Sequence, residues 1–302
     1  MNKLKILLTG STGFVGKNVF SYFNSRFNFR AYKRNECINI EEDIILHFAG
    51  KAHDLKNISN ADEYYLVNTE LTKKVFDAFL KSEAKVFITL SSVKAVADEL
   101  DCDLTEDYIP NPISHYGKSK LLAEQYILSK KIPEGKRIYI LRPSMIHGPG
   151  NKGNLNLLNT IINNGIPWPL GAFENKRSFC SIDNLCFVIQ ELIDNDSISS
   201  GIYNVADDEA ISTIQLINII ATCQNKKPII FKIPKKIIIV LAKIGDLLKL
   251  PLNTERLKKL TENYIVSNKK IRNAIAKPLP FTVNEGLIKT LFSFNNTNTK
   301  IF

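Results

Sequence analysis

Lys5-Ile-Leu-Leu-Thr-Gly-Ser-Thr-Gly-Phe-Val-Gly16 is the stretch that sets the fold. Its first residues form an apolar run with no polar alternation, as in a strand buried on both faces. A glycine loop follows, and residues 16–23 read as a helix. Strand, glycine loop and helix start, in that order, suit a pyrophosphate. Glycines permit a tight turn and a close approach of backbone to ligand. The helix N-terminus adds unpaired N–H groups and a favourable dipole. Gly10, Thr12, Gly13, Phe14, Val15 and Gly16 are therefore candidates for binding a dinucleotide.

The same alternation continues outward from this stretch. Strands are expected at 29–32, 43–49, 85–90 and 137–141, and helices at 62–80 and 114–131. Apolar strands separated by helices imply an α/β fold, with a doubly wound parallel sheet covered on both faces. Ligands of such sheets lie beyond the carboxyl ends of the strands. The glycine loop, Ser91-Ser92 and Arg142-Pro143 all fall there, so one crevice can collect them. After Pro149-Gly150 the pattern changes to helices, prolines and lysines. Residues 1–150 are read as the nucleotide-binding domain, with 183–205 packing back onto it. Residues 151–182 and 206–302 are read as a smaller, mostly helical substrate-binding domain.

Composition narrows the class further. The 302 residues can bury a large core, and their hydrophobic and charged fractions are those of an ordinary globular enzyme. No apolar run is long enough to cross a bilayer, so no integral membrane segment is expected. The five cysteines are odd in number and form no C-x-x-C pair. Reduced thiols, a cytoplasmic location and no metal site are expected. The net charge of +10 suits anionic ligands. Its lysines are spread along the chain without a basic-aromatic cluster, so nucleic acid is not an expected partner.

The end of the second strand reads Arg30-Ala-Tyr-Lys33-Arg34. An acid there would bind the ribose hydroxyls of NAD, whereas Lys33 and Arg34 suit a 2′-phosphate. NADP(H) is favoured, and the nearby Glu36 keeps NAD(H) possible. Tyr116-Gly-Lys-Ser-Lys120 places a phenol and an ammonium one helical turn apart on one face. The ammonium should pull the phenol pKa down from about 10 toward neutral, giving a proton-exchanging group. Ser92, at a strand end, can hydrogen-bond the reacting oxygen and hold Tyr116 in line.

Together these residues resemble the extended short-chain dehydrogenase/reductases of the NAD-dependent epimerase/dehydratase family. The resemblance rests on Thr9 to Gly16, His47-Phe-Ala-Gly50, Asn68, Leu90-Ser-Ser92, Pro112-x3-Tyr116-Gly-Lys-Ser-Lys120, Leu141-Arg-Pro143, Gly148-Pro-Gly150, Arg177-Ser-Phe179 with Asp183, and Gly201 to Val205. Glu285-Gly-Leu287 looks like the closing helix of that family. The resemblance implies a Rossmann-type domain with Ser92, Tyr116 and Lys120 as the catalytic set. Tyr116 would exchange the proton, and Lys120 would hold the nicotinamide ribose. Phe48, Ala49, Gly50, Asn68, Ser91, Pro143 and Met145 would line the cofactor cleft. Ser92, Lys94, Asn154, Arg177 and Arg256 would face the substrate, with Arg177 on its diphosphate. Asp183 would be structural, as an acid at a helix N-terminus.

The resemblance also implies chemistry at C4 of a nucleotide-diphospho-sugar, and a homodimer. Val93-Lys94 stands where dehydratases of the family carry an Asp-Glu pair, so 4,6-dehydration is not expected. Ala95-Val96-Ala97 replaces a usual Val-Tyr-Gly. The expectation leans to a UDP-4-keto-6-deoxy-HexNAc 4-reductase of surface-polysaccharide synthesis. A UDP-glucose or UDP-GlcNAc type 4-epimerase is the alternative. A dinucleotide-binding sensor or scaffold without turnover would tend to lose the Tyr or the Lys, and both are present.

Overall fold

The computed structural model describes residues 3–34, 36–51, 60–151, 154–248 and 253–298. Its strands are β1 (Lys5–Thr9), β2 (Asn28–Ala31), β3 (Ile44–His47), β4 (Val86–Leu90), β5 (Arg137–Pro143), β6 (Met145–His147), β7 (Lys176–Arg177), β8 (Phe179–Ser181), β9 (Gly201–Val205) and β10 (Ile211–Ser212). Six of them form one parallel sheet in the order β2-β1-β3-β4-β5-β9. The chain leaves β1 for β2 on one side and returns to β3 on the other. That reversal opens a crevice at the carboxyl ends of β1 and β3.

Eleven helices are described: α1 (Phe14–Phe23), α2 (Ala61–Tyr64), α3 (Leu71–Lys81), α4 (His115–Leu128), α5 (Asn154–Asn163), α6 (Ile182–Asp194), α7 (Thr213–Cys223), α8 (Lys235–Leu248), α9 (Thr254–Thr261), α10 (Lys269–Ile275) and α11 (Val283–Asn298). Side chains alternate across the strands, so each strand feeds two cores. Ile6, Leu8, Leu46, Ile88 and Leu141 pack with α6 through Leu185, Val188, Ile189 and Leu192. Leu7, Ile45, Phe87 and Ile140 pack on the other face with Val75, Phe76 and Phe79 of α3 and Ile127 of α4. The parallel sheet with helices on both faces is the α/β fold expected from the sequence.

A separate apolar cluster joins α5, α7, α8, α9 and α11 through Leu155, Ile217, Ile220, Ile238, Leu257, Leu287 and Leu291. Ile271 and Ile275 of α10, by contrast, pack into the sheet core beside Tyr203 and Val205 of β9. The single helix expected over 62–80 is interrupted. A π-helical turn, Tyr65–Glu70, separates α2 from α3. Such a turn holds one extra residue, which the 3.6-residue pattern of the sequence does not announce. Both Asn68 and Thr69 point inward from it and are buried.

Candidate active site

The loop after β1 is shaped by glycine. Gly10 has a φ of +71°, and a Cβ there would lie 2.6 Å from the Ala49 nitrogen and the Phe48 carbonyl. A Cβ on Gly16 would lie 2.2 Å from the Gly10 carbonyl oxygen. Residues of any other type would push α1 away from the strand ends. The N-cap of α1 is Gly13, which supplies no side-chain cap. The first N–H groups of α1 therefore remain available to an anion at the switch point. Ser11 is partly exposed, and Thr12 and Gly13 are exposed. This cradle fits the pyrophosphate of a dinucleotide.

The neighbouring wall is built at the end of β3. His47 is fully enclosed, with Nδ1 2.8 Å from the Thr9 hydroxyl and Nε2 2.9 Å from the Thr72 hydroxyl. Burial, helped by the Lys120 charge, pushes its pKa down to about 3, so the ring is neutral. The Ala49 N–H donates to the Thr9 hydroxyl at 3.0 Å, tying β1 to the turn after β3. Asn68 fixes the next residues. It accepts from the Lys51 N–H at 2.8 Å and donates to the Ser119 hydroxyl at 3.0 Å. The Gly50 Cα faces the Lys120 ammonium, since a Cβ there would be 3.0 Å from Nζ. Thr72 is absent from the sequence reading, and His47 enters it only as the first residue of the His47-Phe-Ala-Gly50 run. Only the fold brings them to Thr9.

Ser92, Tyr116 and Lys120 converge. The Ser92 hydroxyl hydrogen-bonds the phenol oxygen of Tyr116. Ser92 also begins a 3₁₀ turn, Val93–Ala95, by accepting from the Lys94 N–H at 3.2 Å. Helix α4 starts at Ser114, whose hydroxyl accepts from the Gly117 N–H at 3.2 Å. Asp98 receives the N–H groups of Ile113 and Ser114, at 2.7 and 2.9 Å, and so anchors that helix start. Gly117 permits contact between the two turns. A Cβ there would sit 2.3 Å from the Lys94 carbonyl oxygen.

One expectation is corrected here. Lys120 does not draw the Tyr116 phenol down toward neutral. Burial pushes the phenol above its ordinary value, the Ser92 hydrogen bond opposes this, and Tyr64 adds to the rise. The Lys120 ammonium instead donates to the Leu90 carbonyl at 2.8 Å. Its own pKa is pushed down by burial to about 8. In this state the phenol is a protonated acid and Lys120 is poised near its titration point.

Ser91, expected in the cofactor wall, turns its hydroxyl inward and donates it to Glu124. Glu124 also pairs with Arg142, and both side chains are almost wholly buried. This ion pair clamps α4 to β5 directly beneath Lys120. Glu124 escaped the sequence reading, although its spacing of four from Lys120 puts it on the same helical face. Pro143 ends β5 in a buried position, and Met145 is exposed just beyond it.

At the end of β2, Arg30 is engaged by two carboxylates. It pairs with Glu42 at 2.6 Å and with Glu36 at 3.2 Å. Lys33 and Arg34 are exposed on the turn that follows.

The substrate-side residues lie on several elements. The Lys94 ammonium donates to the Asp98 carbonyl at 2.6 Å and lies 4.1 Å from the centre of the Tyr264 ring. Arg177, on β7, donates to the Lys259 carbonyl and lies 3.7 Å from Glu262. Burial lowers the Arg177 pKa and raises that of Glu262, so desolvation outweighs their mutual attraction. The Arg177 Nε is buried with no hydrogen-bond partner among the described residues. An anion arriving there would meet an unused donor. Arg256 lies exposed in the first turn of α9. Asn154 opens α5, but its side chain lies outside the described residues, as do Lys152 and Gly153. Asp183 sits in the first turn of α6 and pairs with Lys289 at 2.7 Å, a structural role.

These features agree with what the chain is similar to. The sequence profile of the NAD dependent epimerase/dehydratase family matches residues 33–206, more than half of the chain. The chain belongs to that family and is an enzyme of it. A UDP-glucose 4-epimerase of Vibrio cholerae is 29% identical, covering 73% of this chain and 76% of that protein. An N-acetyl-alpha-D-glucosaminyl-diphospho-ditrans,octacis-undecaprenol 4-epimerase of Escherichia coli O157:H7 is 26% identical, covering 95% and 94%. Among solved structures, MoeE5 in complex with UDP-glucose and NAD superposes with a TM-score of 0.76 at 16% identity, over 97% of this chain and 99% of that one. That likeness is one of fold. An NAD(P)-type dinucleotide fits the glycine cradle described above.

Proposed function

We propose that this enzyme transfers hydride and a proton at C4 of a nucleotide-diphospho-sugar, without dehydrating it. The observation that carries the reading is the hydrogen bond between Ser92 and Tyr116, beside Lys120 and the dinucleotide cradle. Gly10, Gly13, Gly16 and the α1 N-terminus would hold the pyrophosphate, and Lys120 the nicotinamide ribose. When bound, the nicotinamide supplies or accepts the hydride. Tyr116 gives its phenolic proton to O4 during ketone reduction, or takes the O4 proton during oxidation. Ser92 holds the phenol in line and offers a donor to the same oxygen. Arg177 would bind the diphosphate through its unused Nε–H.

The finer reading is a UDP-4-keto-6-deoxy-HexNAc 4-reductase using NADPH. A phenol kept protonated by burial suits proton donation to a ketone oxygen. The Glu36 carboxylate is engaged by Arg30, while Lys33 and Arg34 are exposed where a 2′-phosphate would lie. The 4-epimerase reading draws on relatives that bear that name and needs the same three residues. One of those relatives takes its sugar diphosphate on a polyprenol, so the sugar diphosphate is the shared recognition element. A homodimer forms part of the proposal, with the exposed Leu66, Leu122 and Leu128 as apolar surface for it.

One experiment separates the readings. The protein is incubated with NADPH and a UDP-4-keto-6-deoxy-HexNAc while nicotinamide absorbance is followed. Parallel NMR spectra are recorded with UDP-GlcNAc and UDP-glucose. Stoichiometric loss of NADPH identifies the reductase. C4 inversion without net cofactor turnover identifies the epimerase. Neither change in any of these mixtures would overturn the proposal.

A further inference from the structure

We propose that the outer face of α8 docks this enzyme onto an anionic lipid bilayer. Helix α8 reads Lys-Lys-Ile-Ile-Ile-Val-Leu-Ala-Lys-Ile-Gly-Asp-Leu-Leu from Lys235 to Leu248. It buries only Ile238, Ala242 and Gly245, spaced i, i+4, i+7. Those three form a narrow stripe against the rest of the fold. Ile237, Val240, Leu241, Ile244, Leu247 and Leu248 are all exposed, with Leu247 at 83%. At 3.6 residues per turn these six fall on one continuous arc of about 120°, centred well away from the buried stripe. A helix that is apolar on both faces must bury the second face too. Six large apolar side chains on one arc form a patch of the kind soluble monomers rarely expose.

The charge around this face selects the occupant. Lys236 and Lys243, seven residues apart, lie along one border of the arc. Residues 226–248 contain six lysines and one aspartate. That aspartate, Asp246, is occupied by capping Thr254, whose N–H and hydroxyl donate to it at 3.0 and 2.7 Å. Lys227, Lys232, Lys236 and Lys243 form no ion pair among the described residues. An apolar arc bordered by cations matches the interface of a negatively charged bilayer, where acyl chains receive the side chains and headgroups the ammonium groups. A second copy on the same face would bring two like-charged rims together. The 14 residues of α8 span roughly 21 Å, too short to cross a hydrocarbon core of about 30 Å. No described helix is long and apolar enough to cross. The helix therefore lies on the membrane. This inference is independent of the proposed substrate.

The test is co-sedimentation of the full chain with vesicles of phosphatidylglycerol and phosphatidylcholine, and with phosphatidylcholine alone, at low and high salt. The protein is expected to pellet with the anionic vesicles and to be released by salt. Val240→Glu with Leu247→Glu should weaken vesicle binding at least tenfold while thermal melting stays near wild type. Lys236→Glu with Lys243→Glu, which alters no buried position, should do the same and serves if the first pair fails to fold. Failure of the wild type to bind anionic vesicles would overturn the proposal. So would unchanged binding by the lysine pair. A dimer in sedimentation velocity that the α8 substitutions dissociate would assign the face to a second copy instead.

Discussion

A Cβ on Gly117 would lie 2.3 Å from the carbonyl oxygen of Lys94, so α4 reaches the turn that begins at Ser92 only because residue 117 has no side chain. Tyr116 precedes that contact and Ser92 lies two residues before Lys94. The two hydroxyls meet because the backbones do. Gly117→Ala should therefore separate them. A displacement of about 1 Å at such a site costs roughly 100-fold in rate. kcat is expected to fall by that order with circular dichroism retained; near-wild-type turnover would show that the approach does not matter.

Tyr116→Phe removes the proton donor and should lower kcat by roughly 10²–10⁴-fold. The pH profile carries its own signature. Because burial raises the phenol pKa, the acid form persists through neutral pH. Ketone reduction should be flat there and decline only in the alkaline range, where the phenol loses its proton. The variant's residual rate should lack that alkaline limb. An alkaline limb that survives in the variant belongs to another group.

Lys120 makes a prediction about stability. Its pKa is pushed down by burial from 10.5 to about 8 in the folded protein. Between those values the unfolded chain binds a proton that the folded chain does not, so stability rises with pH across this window. Below about pH 8 the buried ammonium is a penalty. Lys120→Met should melt at or above the wild-type temperature at pH 7 while losing activity. The advantage should shrink as pH climbs toward 10.5. Parallel melting curves for the two proteins across this range would contradict the depressed pKa.

Arg34→Asp tests the cofactor. Replacing a guanidinium by a carboxylate where a 2′-phosphate would lie should raise the KM for NADPH and lower that for NADH. A charge-assisted hydrogen bond contributes about 1.5–3 kcal/mol. The preference should thus move by roughly one to two orders of magnitude, read from initial rates with each nucleotide. Equal KM values before and after the change would remove Arg34 from the cofactor site.

Arg177→Ala should act on binding more than on chemistry. Its buried, unpaired Nε is the donor offered to a diphosphate. Substrate KM should rise roughly 10–100-fold, with kcat changed far less. Isothermal titration with UDP alone provides a second reading, since the diphosphate is the group recognised. Unaltered UDP affinity would leave Arg177 a purely structural residue of the β7 segment.

Much of the frame was legible locally. Lys5 to Gly16 specified strand, loop and helix because apolar runs and glycine clusters act over a few residues. The parallel sheet followed from alternation of such segments. Tyr116 and Lys120 were legible because helical spacing places them on one face. The π turn was not, since an inserted residue leaves the apolar pattern nearly unchanged while rotating Asn68 and Thr69 inward. Nor was the role of Ser91, whose hydroxyl is claimed by a buried carboxylate 33 residues away.

By itself the sequence made legible the order of the sheet's strands and flanking helices, the glycine loop after β1, and Ser92, Tyr116 and Lys120 as candidates. Those depend on short-range propensity and spacing. The protonation states were decided only by the tertiary structure. Enclosure raises Tyr116, lowers Lys120 and keeps His47 neutral, because desolvation depends on every segment that packs around a group. The exposed face of α8 was likewise a tertiary outcome. The sequence marks this region only as helical and lysine-rich, and the packing of Ile238, Ala242 and Gly245 against the fold shows which side is left outside.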